Sequence, residues 1–434
     1  MIHAEVFKEI IIENEGYIKS VGEILSREID ILTPESLRRL KKAAILYGVR
    51  RSGKSYLLFQ IFKRYPDRSI YIDFEDERLQ GIQAEDLERI WEAFLELKGE
   101  EIARKEGVIL LDEIQNAPMW EKFVRRLAEK KGVAVYCAGS SSKITPKEIH
   151  TSLRGRIWSV EVLPFSFREF VLAKLGTNSP EKMIYGDKRV QIKRLFLEYI
   201  RYGGMPEVVF ATNEFERRKI IREYLRSMYF RDMVERYNTT NIPLLDALWD
   251  QLFSSYGAKF SLNGFYKRYK NLISFSKDTL YTYYKYFLES MLVFDVKKFT
   301  ESSYKRMRNP AKIYLVDHGL AKKTTSENLG RILENIVYVH LRRLGYDVYY
   351  LEEEESECDF IARNEETSIA LQITWHLNED NKSREIGGLV TASKYTKAEK
   401  FVILTYDQEE RIEVSGIEVE VIPAWKWLLT FTNF

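Results

Sequence analysis

The chain has 434 residues, of which 45% are hydrophobic, and this length predicts two to four domains with packed cores. Its formal net charge of +2 excludes a polyanion-binding surface spread over the whole molecule, so any nucleic-acid site has to be local. The sequence has no apolar run near the roughly 20 residues that span a bilayer, no signal-peptide pattern, and only two cysteines, Cys137 and Cys358. We therefore expect a cytoplasmic protein with no membrane partner and no disulfide framework. Charged residues make up 30% of the chain, a content that would suit the ion-pair surface of a thermophile.

In chain order, the first informative segment is a strand, a glycine loop and a helix. The run from Lys41 to Gly48 is apolar and ends at a glycine, and apolar residues three and four apart from Lys54 to Tyr65 predict a helix. The loop between them, "GVRRSGKS", has a glycine, four residues and then Gly-Lys-Ser, which is the pattern of a phosphate-binding loop. The strand before it and the helix after it are the context that this motif requires.

This loop predicts an ATP site that also binds Mg²⁺. Glycines let backbone amides point at phosphate oxygens, and the positive end of the following helix adds to that field. Lys54 can reach the β- and γ-phosphates, and the hydroxyl of Ser55 can bind Mg²⁺. The residues predicted to bind the nucleotide are Gly48, Arg51, Ser52, Gly53, Lys54, Ser55 and Tyr56.

Two further strands are predicted to end at the same site. The apolar run "GVILLDE" ends in Asp112, which would hold Mg²⁺ through its water shell, and Glu113, which would polarise the attacking water. The run "VAVYCAGSSS" ends in hydroxyls, of which Ser140 or Ser141 would position that water. The alternatives are an ordinary acidic turn and a simple serine-rich turn. Together these residues predict an ATPase that converts ATP and water to ADP and phosphate.

Four segments, "GVRRSGKS", "ILLDEIQN", "AGSSS" and "LRGRIWSVEVLPFSFREF", resemble those of archaeal and bacterial predicted ATPases of the AAA+/STAND type. In that family an AAA_14 ATPase domain is followed by a C-terminal domain, DUF4143, and the resemblance covers nearly the whole chain. It implies an arginine near a nucleotide, often that of a neighbouring subunit, and therefore a homo-oligomer. Arg156 fits this role, with Arg154 as the alternative, because a guanidinium is always charged and matches phosphate oxygens. The other interpretation is that both are surface charges on a loop.

The segment "YIRYGGMPEVV" also resembles the helical lid of that family. Gly203 and Gly204 would break one helix, and Pro206 would open the next. A helix that starts there could approach the nucleotide, which is an expectation about lid geometry and not about catalysis.

The sequence from 242 to 316 predicts a winged helix. Three helical segments are followed by two strands, and in this arrangement the third helix can enter a major groove. Between Lys259 and Arg308 the sequence has eleven basic and four acidic residues, a local charge of +7, which favours contact with DNA. The alternative is a winged helix that only packs the ATPase against the tail. The residues predicted to contact DNA are Lys277, Tyr281 and Lys285 on the third helix, and Lys297, Lys298, Arg306 and Arg308 on or near the wing.

The tail resembles the core of the PD-(D/E)xK nuclease-like fold. In active members a helix glutamate, a strand aspartate and an acid-x-lysine pair hold metal ions that activate water. Glu334 and Asp359 match the first two positions, but Gln372 and Thr374 stand where the second acid and the lysine belong. A neutral amide brings no charge to Mg²⁺. We therefore expect this domain to be inactive as a nuclease while it keeps a shape that can grip branched DNA.

The fold class predicted for the whole chain is α/β, in four parts. These are a P-loop AAA+-type ATPase domain at 1–175, a helical lid at 176–240, a winged-helix domain at 241–325 and an α/β PD-(D/E)xK nuclease-like domain at 326–434. The first interpretation of function is an ATP-driven DNA motor or remodeler that acts on branched DNA, such as Holliday junctions or forks. The alternative is a STAND-like switch whose nucleotide state controls docking to a protein partner. The local positive charge favours the motor, whereas the small total charge favours the switch.

Overall fold

A computed structural model describes residues 2–103, 106–140, 155–177, 179–300, 309–321, 329–353 and 355–432. The chain forms two compact units, Met1–Leu163 and Pro164–Phe434. The four-part division predicted from the sequence is finer than these two units and stays a prediction.

The first unit is built on a parallel sheet, which confirms the predicted α/β class. Among the described residues the sheet has five strands in the order β2-β3-β4-β1-β5, and all neighbours pair in parallel. The strands are β1 Ala43–Gly48, β2 Ser69–Asp73, β3 Val108–Asp112, β4 Ala134–Ser140 and β5 Ile157–Glu161. The α-helices described in this unit are α1 Ala4–Ser20, α2 Pro34–Leu40, α3 Lys54–Arg64, α4 Leu87–Ala103 and α5 Trp120–Arg126.

Helices cover both faces of this sheet, and this explains why its strands read as continuous apolar runs. Ile45 of β1 packs on one face with Phe7 of α1 and Phe94 of α4. The next residue, Leu46, lies on the other face with Phe62 of α3. Because successive side chains of a strand point to opposite faces, a strand covered on both sides needs apolar residues at every position.

The second unit begins with helices. The described helices are Phe167–Leu175, Lys188–Tyr202, Pro206–Phe210 and Glu214–Ser227, and the last continues into a π-helical segment, Met228–Glu235. A capping box starts the first of them: the Ser166 hydroxyl accepts from the Glu169 amide at 3.0 Å, and the Glu169 carboxylate accepts from the Ser166 amide at 2.8 Å.

The two glycines of the predicted lid lie against a later part of the chain. Gly203 ends a helix with φ of 80°, and Pro206 stands at the start of the next, as the sequence predicts. The carboxylate of Asp317 accepts from the Gly204 amide at 2.7 Å, and a Cβ atom on Gly203 would lie 1.9 Å from the same carboxylate. Ring nitrogen Nε2 of His318 lies 2.7 Å from the carbonyl oxygen of Tyr199. Gly203 therefore has to be glycine because a buried carboxylate approaches it, and Gly204 because a Cβ atom there would lie 2.2 Å from the carbonyl oxygen of Phe165.

A helix–strand–helix–helix–hairpin segment follows. Its elements are helix Ile242–Ser254, β6 Ala258–Phe260, helices Leu262–Tyr269 and Lys277–Glu289, then β7 Val293–Lys298 and β8 Ala311–Leu315. Both β6 and β7 pair antiparallel with β8. The three helices and two later strands lie where the sequence predicts them, and the short strand β6 was not predicted. Ser276 caps the third helix by accepting from the Thr279 amide at 3.0 Å.

The C-terminal part continues the same sheet. Its elements are helix Leu329–Arg343, β9 Asp347–Glu353, β10 Ser356–Arg363, β11 Ser368–Ile373, helix Glu379–Tyr395, β12 Lys400–Thr405, β13 Glu410–Val414, β14 Ile417–Pro423 and helix Ala424–Thr430. The described strands of this unit form one sheet in the order β13-β14-β12-β11-β10-β9-β7-β8-β6. A parallel pair between β7 and β9, with Lys297 opposite Tyr349, joins the hairpin segment to the tail.

Both cysteines are packed residues. Cys137 and Cys358 are buried and free, and burial raises the pKa of both thiols, so neither has thiolate character. Over the described ranges, none of the helices is long and apolar enough to cross a membrane.

Candidate nucleotide site

The phosphate loop runs from Gly48 at the end of β1 to Lys54 at the start of α3. Gly48 is required because a Cβ atom there would lie 2.3 Å from the carbonyl oxygen of Val162. Gly53, with φ of 99°, has the left-handed conformation that favours glycine, and Arg51 also has a positive φ, of 65°. This tight turn brings the first turn of α3 against the end of β1, which is the arrangement that presents helix amides to an anion.

Two buried side chains fit a phosphate group. The Lys54 ammonium donates to the carbonyl oxygens of Gly48 at 3.0 Å and Val49 at 2.8 Å, so it lies within the curve of the loop. The hydroxyl of Ser52 is buried and has no hydrogen-bond partner among the described residues. A phosphate oxygen would give the Ser52 hydroxyl a partner and would lie beside the charge of the Lys54 ammonium. Arg51 and Tyr56 are exposed, and their contact with the nucleotide stays a prediction.

The two predicted Mg²⁺ residues lie together. Asp112 at the end of β3 is buried and accepts a hydrogen bond from the Ser55 side chain at the start of α3. Burial raises the pKa of Asp112, whereas hydrogen bonds from Ser55 and Tyr71 lower it. A hydroxyl and a carboxylate beside phosphate oxygens form the hard oxygen set that Mg²⁺ prefers, so these residues fit the ion.

Glu113 has an unusual backbone for a glutamate. Its φ of 45° lies in the left-handed region, and its carboxylate accepts a hydrogen bond from the Gln115 side chain. A strained backbone that persists in a structure is typical of functional sites. The structure therefore places a half-buried carboxylate one residue beyond Asp112, and its role as general base stays a prediction.

Ser140 is the last residue of β4 and is fully buried. It stands opposite Gly48 in the β1–β4 pair, so the hydroxyl-bearing strand end lies beside the phosphate loop. Its role in positioning water is untested. Ser141 and Arg154 lie outside the described residues.

Arg156 lies at the end of the sheet where the parallel strands begin, opposite the end that carries the phosphate loop. It precedes Ile157, which pairs with Ala43 at the start of β1, whereas the phosphate loop follows Gly48 at the end of β1. Ala43 and Gly48 are the two ends of β1, and five residue steps along the strand separate them by roughly 16 Å. The Arg156 guanidinium contacts Glu129 at 2.9 Å. Arg156 is therefore excluded from the nucleotide of its own chain, and a role across a subunit boundary stays a prediction.

Two further residues of this site lie on β2 and were not predicted from the sequence. The Tyr71 hydroxyl donates to Asp112 at 2.9 Å, and Asp73 stands opposite Asp112 at the strand end. Burial raises the pKa of Asp73 to about 6, even though its carboxylate accepts from the Glu75 amide. The available signal was "SIYIDF", an apolar run ending in an acid, as in β3.

An arginine from the segment before α2 holds the phosphate loop. Arg27 donates to the carbonyl oxygen of Ser52 at 3.0 Å and to that of Leu163 at 2.7 Å. It therefore ties the loop to the chain that follows β5. No sequence pattern identifies this contact, because its partners are backbone atoms that are distant along the chain.

The predicted DNA-contacting residues of the third helix form one exposed face. Lys277, Tyr281 and Lys285 are spaced by four residues on helix Lys277–Glu289, and all three side chains are exposed. We call these three residues the basic face. Arg306 and Arg308 lie outside the described residues, so that part of the predicted wing has no structural account.

Carboxylates reduce the positive charge of the segment from Lys259 to Arg308. Glu289 contacts Lys285 at 3.2 Å on the same helix. Glu353 of β9 contacts Lys298 at 2.9 Å, and Lys259 is bound by two further carboxylates of β9 and β10. The local charge of +7 counted along the sequence is thus partly neutralised by acids that the fold brings in from the tail. Lys297 remains exposed.

The nuclease-like positions of the tail are close together, with a lysine between them. Glu334 and Asp359 both contact the ammonium of Lys312, a residue that was not predicted from the sequence to lie at this site. The side chain of Gln372 instead bonds to two backbone groups of β10. In the part of the chain that the structure describes, no group of three or more His, Cys, Asp or Glu side chains could hold a metal ion.

Two domain families match separate segments of the chain. An AAA domain family, AAA_14, matches residues 40–171, which include the phosphate loop and Asp112. A domain of unknown function, DUF8612, matches residues 193–329. The chain therefore carries an AAA-type P-loop ATPase domain, which implies ATP binding. The DUF4143 assignment that the resemblance implied for the C-terminal part stays a prediction.

A relative from Methanocaldococcus jannaschii decides the family. The uncharacterized protein MJ1544 is 35% identical over 446 residues, which cover 98% of this chain and 96% of MJ1544. The chain belongs to the MJ1544 family. An uncharacterized protein of Haemophilus influenzae is also similar, with 26% identity over 88% of this chain and 93% of that protein. MJ1637 of Methanocaldococcus jannaschii, again uncharacterized, is 22% identical over 74% of this chain and 72% of its own length.

Solved structures show more distant likeness to this member of the MJ1544 family. The Walker-type ATPase PABY2304 of Pyrococcus abyssi gives a TM-score of 0.42 at 16% identity, over 70% of this chain and 98% of that chain. PCH-2 of C. elegans gives a TM-score of 0.21 at 12% identity, over 45% of this chain and 47% of that chain.

Proposed function

We propose that this protein is an ATP-hydrolysing motor or remodeler that acts on DNA, with branched DNA such as forks or Holliday junctions as its substrate. The observation that carries the hydrolytic part is the convergence of Lys54, Ser55 and Asp112 at one edge of the sheet. Glu113 and Ser140 stand at the same edge. Lys54 would bind the phosphates, Ser55 and Asp112 would hold Mg²⁺, and Glu113 would take the proton of the attacking water.

The basic face supports the DNA part of the proposal. Helix, strand, helix, helix and hairpin is the element order of a winged helix, and the third helix of that fold can lie in a major groove. The basic face presents two ammonium groups and one aromatic ring on this helix. Their spacing would let them contact one stretch of the DNA phosphate backbone. Phosphate contacts of this kind hold DNA regardless of its sequence, as a motor requires.

The position of Arg156 supports an assembly of several copies. This arginine lies at the sheet edge opposite its own phosphate loop, so it can meet a nucleotide only in another copy. A homo-oligomer with heterologous contacts would place it there. The contact with Glu129 would then be exchanged for phosphate oxygens at the subunit boundary.

A second candidate is a nucleotide-controlled switch that docks a protein partner. It is favoured by the ion pairs that neutralise Lys285, Lys298 and Lys259. It is also favoured by aromatic side chains exposed in the first helices of the second unit. These are Phe210, Phe215 and Phe230, with 58%, 76% and 56% of their surfaces exposed. A switch needs such a docking surface, whereas a DNA motor does not.

Binding to duplex, forked and four-way DNA over a salt titration separates the two candidates. A motor should bind branched DNA, and its affinity should fall steeply with salt because phosphate contacts release counterions. The variant Lys277→Ala with Lys285→Ala should bind more weakly and with a smaller salt slope. The control, Lys188→Ala with Lys219→Ala, removes the same charge from two other exposed helix positions and should bind like the wild type. Absence of DNA binding by the wild type would favour the protein switch.

A further inference from the structure

A buried lysine in the C-terminal sheet is surrounded by three carboxylates. Nζ of Lys312, on β8, lies 3.0 Å from Oε1 of Glu334, 2.7 Å from Oε1 of Glu357 and 3.0 Å from Oδ1 of Asp359. Only 4% of the Lys312 side chain is exposed. We call these four residues the lysine cluster. It joins three separate elements of the second unit: β8, helix Leu329–Arg343 and β10.

The ammonium at this centre is charged. Burial lowers the pKa of Lys312, but the negative charges of Asp359, Glu334 and Glu357 outweigh it and hold that pKa well above its ordinary value. The Tyr314 hydroxyl also donates to Oε1 of Glu334 at 2.5 Å. A buried charge is tolerated only when it is paired and hydrogen-bonded, and the lysine cluster meets both conditions.

The outer oxygens of two carboxylates already have partners. Oε2 of Glu357 accepts from Lys259 at 2.7 Å, and Oδ2 of Asp359 accepts from the Ile373 amide at 2.9 Å. Each carboxylate is therefore oriented with one oxygen toward Lys312 and the other toward a fixed donor. This is the preorganisation usually seen around a metal ion, with an ammonium in its place.

Gln372, which stands where the nuclease fold has an acid, forms hydrogen bonds with backbone atoms. Oε1 of Gln372 accepts from the Asp359 amide at 2.9 Å, and its Nε2 donates to the carbonyl oxygen of Glu357 at 2.8 Å. A Cβ atom on Gly388 would lie 2.2 Å from that Nε2, so the neighbouring helix leaves space for the amide alone. Gln372 thus fixes the strand that carries two members of the lysine cluster and provides no ligand to its centre.

The distances suit an ammonium and not a divalent ion. Charge-assisted N–H···O bonds are about 2.7–2.9 Å long, whereas Mg²⁺ binds oxygen at about 2.0–2.1 Å. The three oxygens around Nζ lie at 2.7 to 3.0 Å, so they would have to move inward by roughly 0.6 to 1.0 Å to hold Mg²⁺.

We propose that the Lys312 ammonium is a resident cation that takes the place of a divalent metal between Glu334, Glu357 and Asp359. The site is closed to Mg²⁺ and Mn²⁺ in the native chain and opens to them when the ammonium is removed. The cluster then needs no metal to join β8 of the hairpin segment to the C-terminal sheet. This inference concerns a site separate from the nucleotide loop and the basic face, so it stands or fails independently of the proposed function.

The test measures Mn²⁺ binding by the full chain without nucleotide or DNA. All proteins carry Asp112→Asn, which removes the carboxylate of the other candidate metal site. With Lys312 present, calorimetry and electron paramagnetic resonance should show no bound Mn²⁺ and no change in the unfolding midpoint. With Lys312→Ala, one Mn²⁺ should bind per chain, and the unfolding midpoint should rise as Mn²⁺ is added.

Two controls define the site. Lys312→Arg keeps a cation at the centre and should leave it closed, and Lys312→Ala with Asp359→Asn should lose the Mn²⁺ that Lys312→Ala gains. If Lys312→Ala does not fold alone, Mn²⁺ should restore its circular dichroism spectrum. Mn²⁺ binding that depends on Asp359 while Lys312 is intact would overturn the proposal. So would a Lys312→Ala chain that neither binds Mn²⁺ nor is stabilised by it.

Discussion

The hydroxyl of Tyr71 on β2 donates a 2.9 Å hydrogen bond to Oδ2 of Asp112 on β3. The two residues are 41 positions apart, and the parallel pairing of β2 with β3 brings them together. Asp112 also accepts from Ser55, so two hydroxyl groups hold the carboxylate that is proposed to bind Mg²⁺. The site thus has a positioning residue on a strand outside the two sequence motifs.

Tyr71→Phe should move the acid limb of the ATPase pH profile to higher pH. The Tyr71 hydrogen bond lowers the pKa of Asp112 against the burial that raises it, so its loss makes the carboxylate easier to protonate. A hydrogen bond to a charged group is worth about 1.5–3 kcal/mol, so its loss should be visible as a displaced acid limb. The control is Tyr136→Phe on β4 of the same sheet, which removes a hydroxyl that donates to the carbonyl oxygen of Leu32. An unchanged acid limb in Tyr71→Phe would contradict the role given to this residue.

Glu113→Gln should leave ATP binding intact and slow hydrolysis by about 10²-fold or more, which is the scale of losing a general base. Lys54→Ala should instead reduce both binding and turnover, because it removes the ammonium within the phosphate loop. Steady-state phosphate release and equilibrium nucleotide binding separate the two effects. Glu92→Gln, on an exposed position of α4, is the matched control and should behave like the wild type. Wild-type turnover in Glu113→Gln would remove this residue from the mechanism.

Asp73→Asn should stabilise the protein at pH 7 but not below about pH 4. Burial raises the pKa of Asp73 to about 6 from its ordinary value of 3.8. The folded state then binds this proton more tightly than the unfolded state, so stability falls as pH rises through this interval and stays lower above it. Asparagine has no charge to bury and removes that loss. Urea unfolding at the two pH values measures the difference.

Asp76→Asn is the control, because its effect on the free energy of unfolding at pH 7 should have the opposite sign. Its hydrogen bond with Arg78 lowers the pKa of Asp76, so its carboxylate stabilises the folded state at pH 7 and loses that effect in acid. Asp76→Asn should therefore destabilise at pH 7. Equal effects of the two substitutions would show that neither depends on the environment of its carboxylate.

Mixing Arg156→Ala with Lys54→Ala protein should restore part of the ATPase activity. Each chain supplies the group that the other lacks if Arg156 acts on the nucleotide of a neighbouring copy, and specific activity of the wild type should rise with protein concentration. Arg125→Ala is the matched control, because Arg125 also contacts Glu129 but lies on α5. Specific activity that is independent of concentration, with no rescue on mixing, would indicate a site complete within one chain.

The native protein should not cut plasmid, forked or four-way DNA with Mg²⁺ or Mn²⁺, with or without ATP. The physical reason is that Gln372 brings no charge and Lys312 fills the space between the remaining carboxylates. Cleavage that disappears in Asp359→Ala would show that the C-terminal sheet is an active nuclease. Cleavage that persists in Asp359→Ala would indicate a contaminating enzyme.

The sequence alone determined the phosphate loop and the parallel strands, because both depend on neighbouring residues. A glycine pattern between an apolar strand and a helix fixes Gly48, Lys54 and Ser55 in their places, and an apolar run ending in acids fixes Asp112 at a strand end. The helices of the hairpin segment were predictable for the same reason, since apolar spacing and the cap at Ser276 are local signals.

Only the tertiary structure decided which charges meet. The parallel pairing of β5 with β1 decides at which end of the sheet Arg156 lies. The neutralisation of Lys298 follows from the pairing of β7 with β9, and the lysine cluster follows from the packing of Lys312 against Glu334 and Asp359. No periodicity encodes these contacts, because each joins residues through strand order and not through spacing along the chain. Electrostatic pairing in a folded protein depends on distance in space, and that distance is set by the whole sheet.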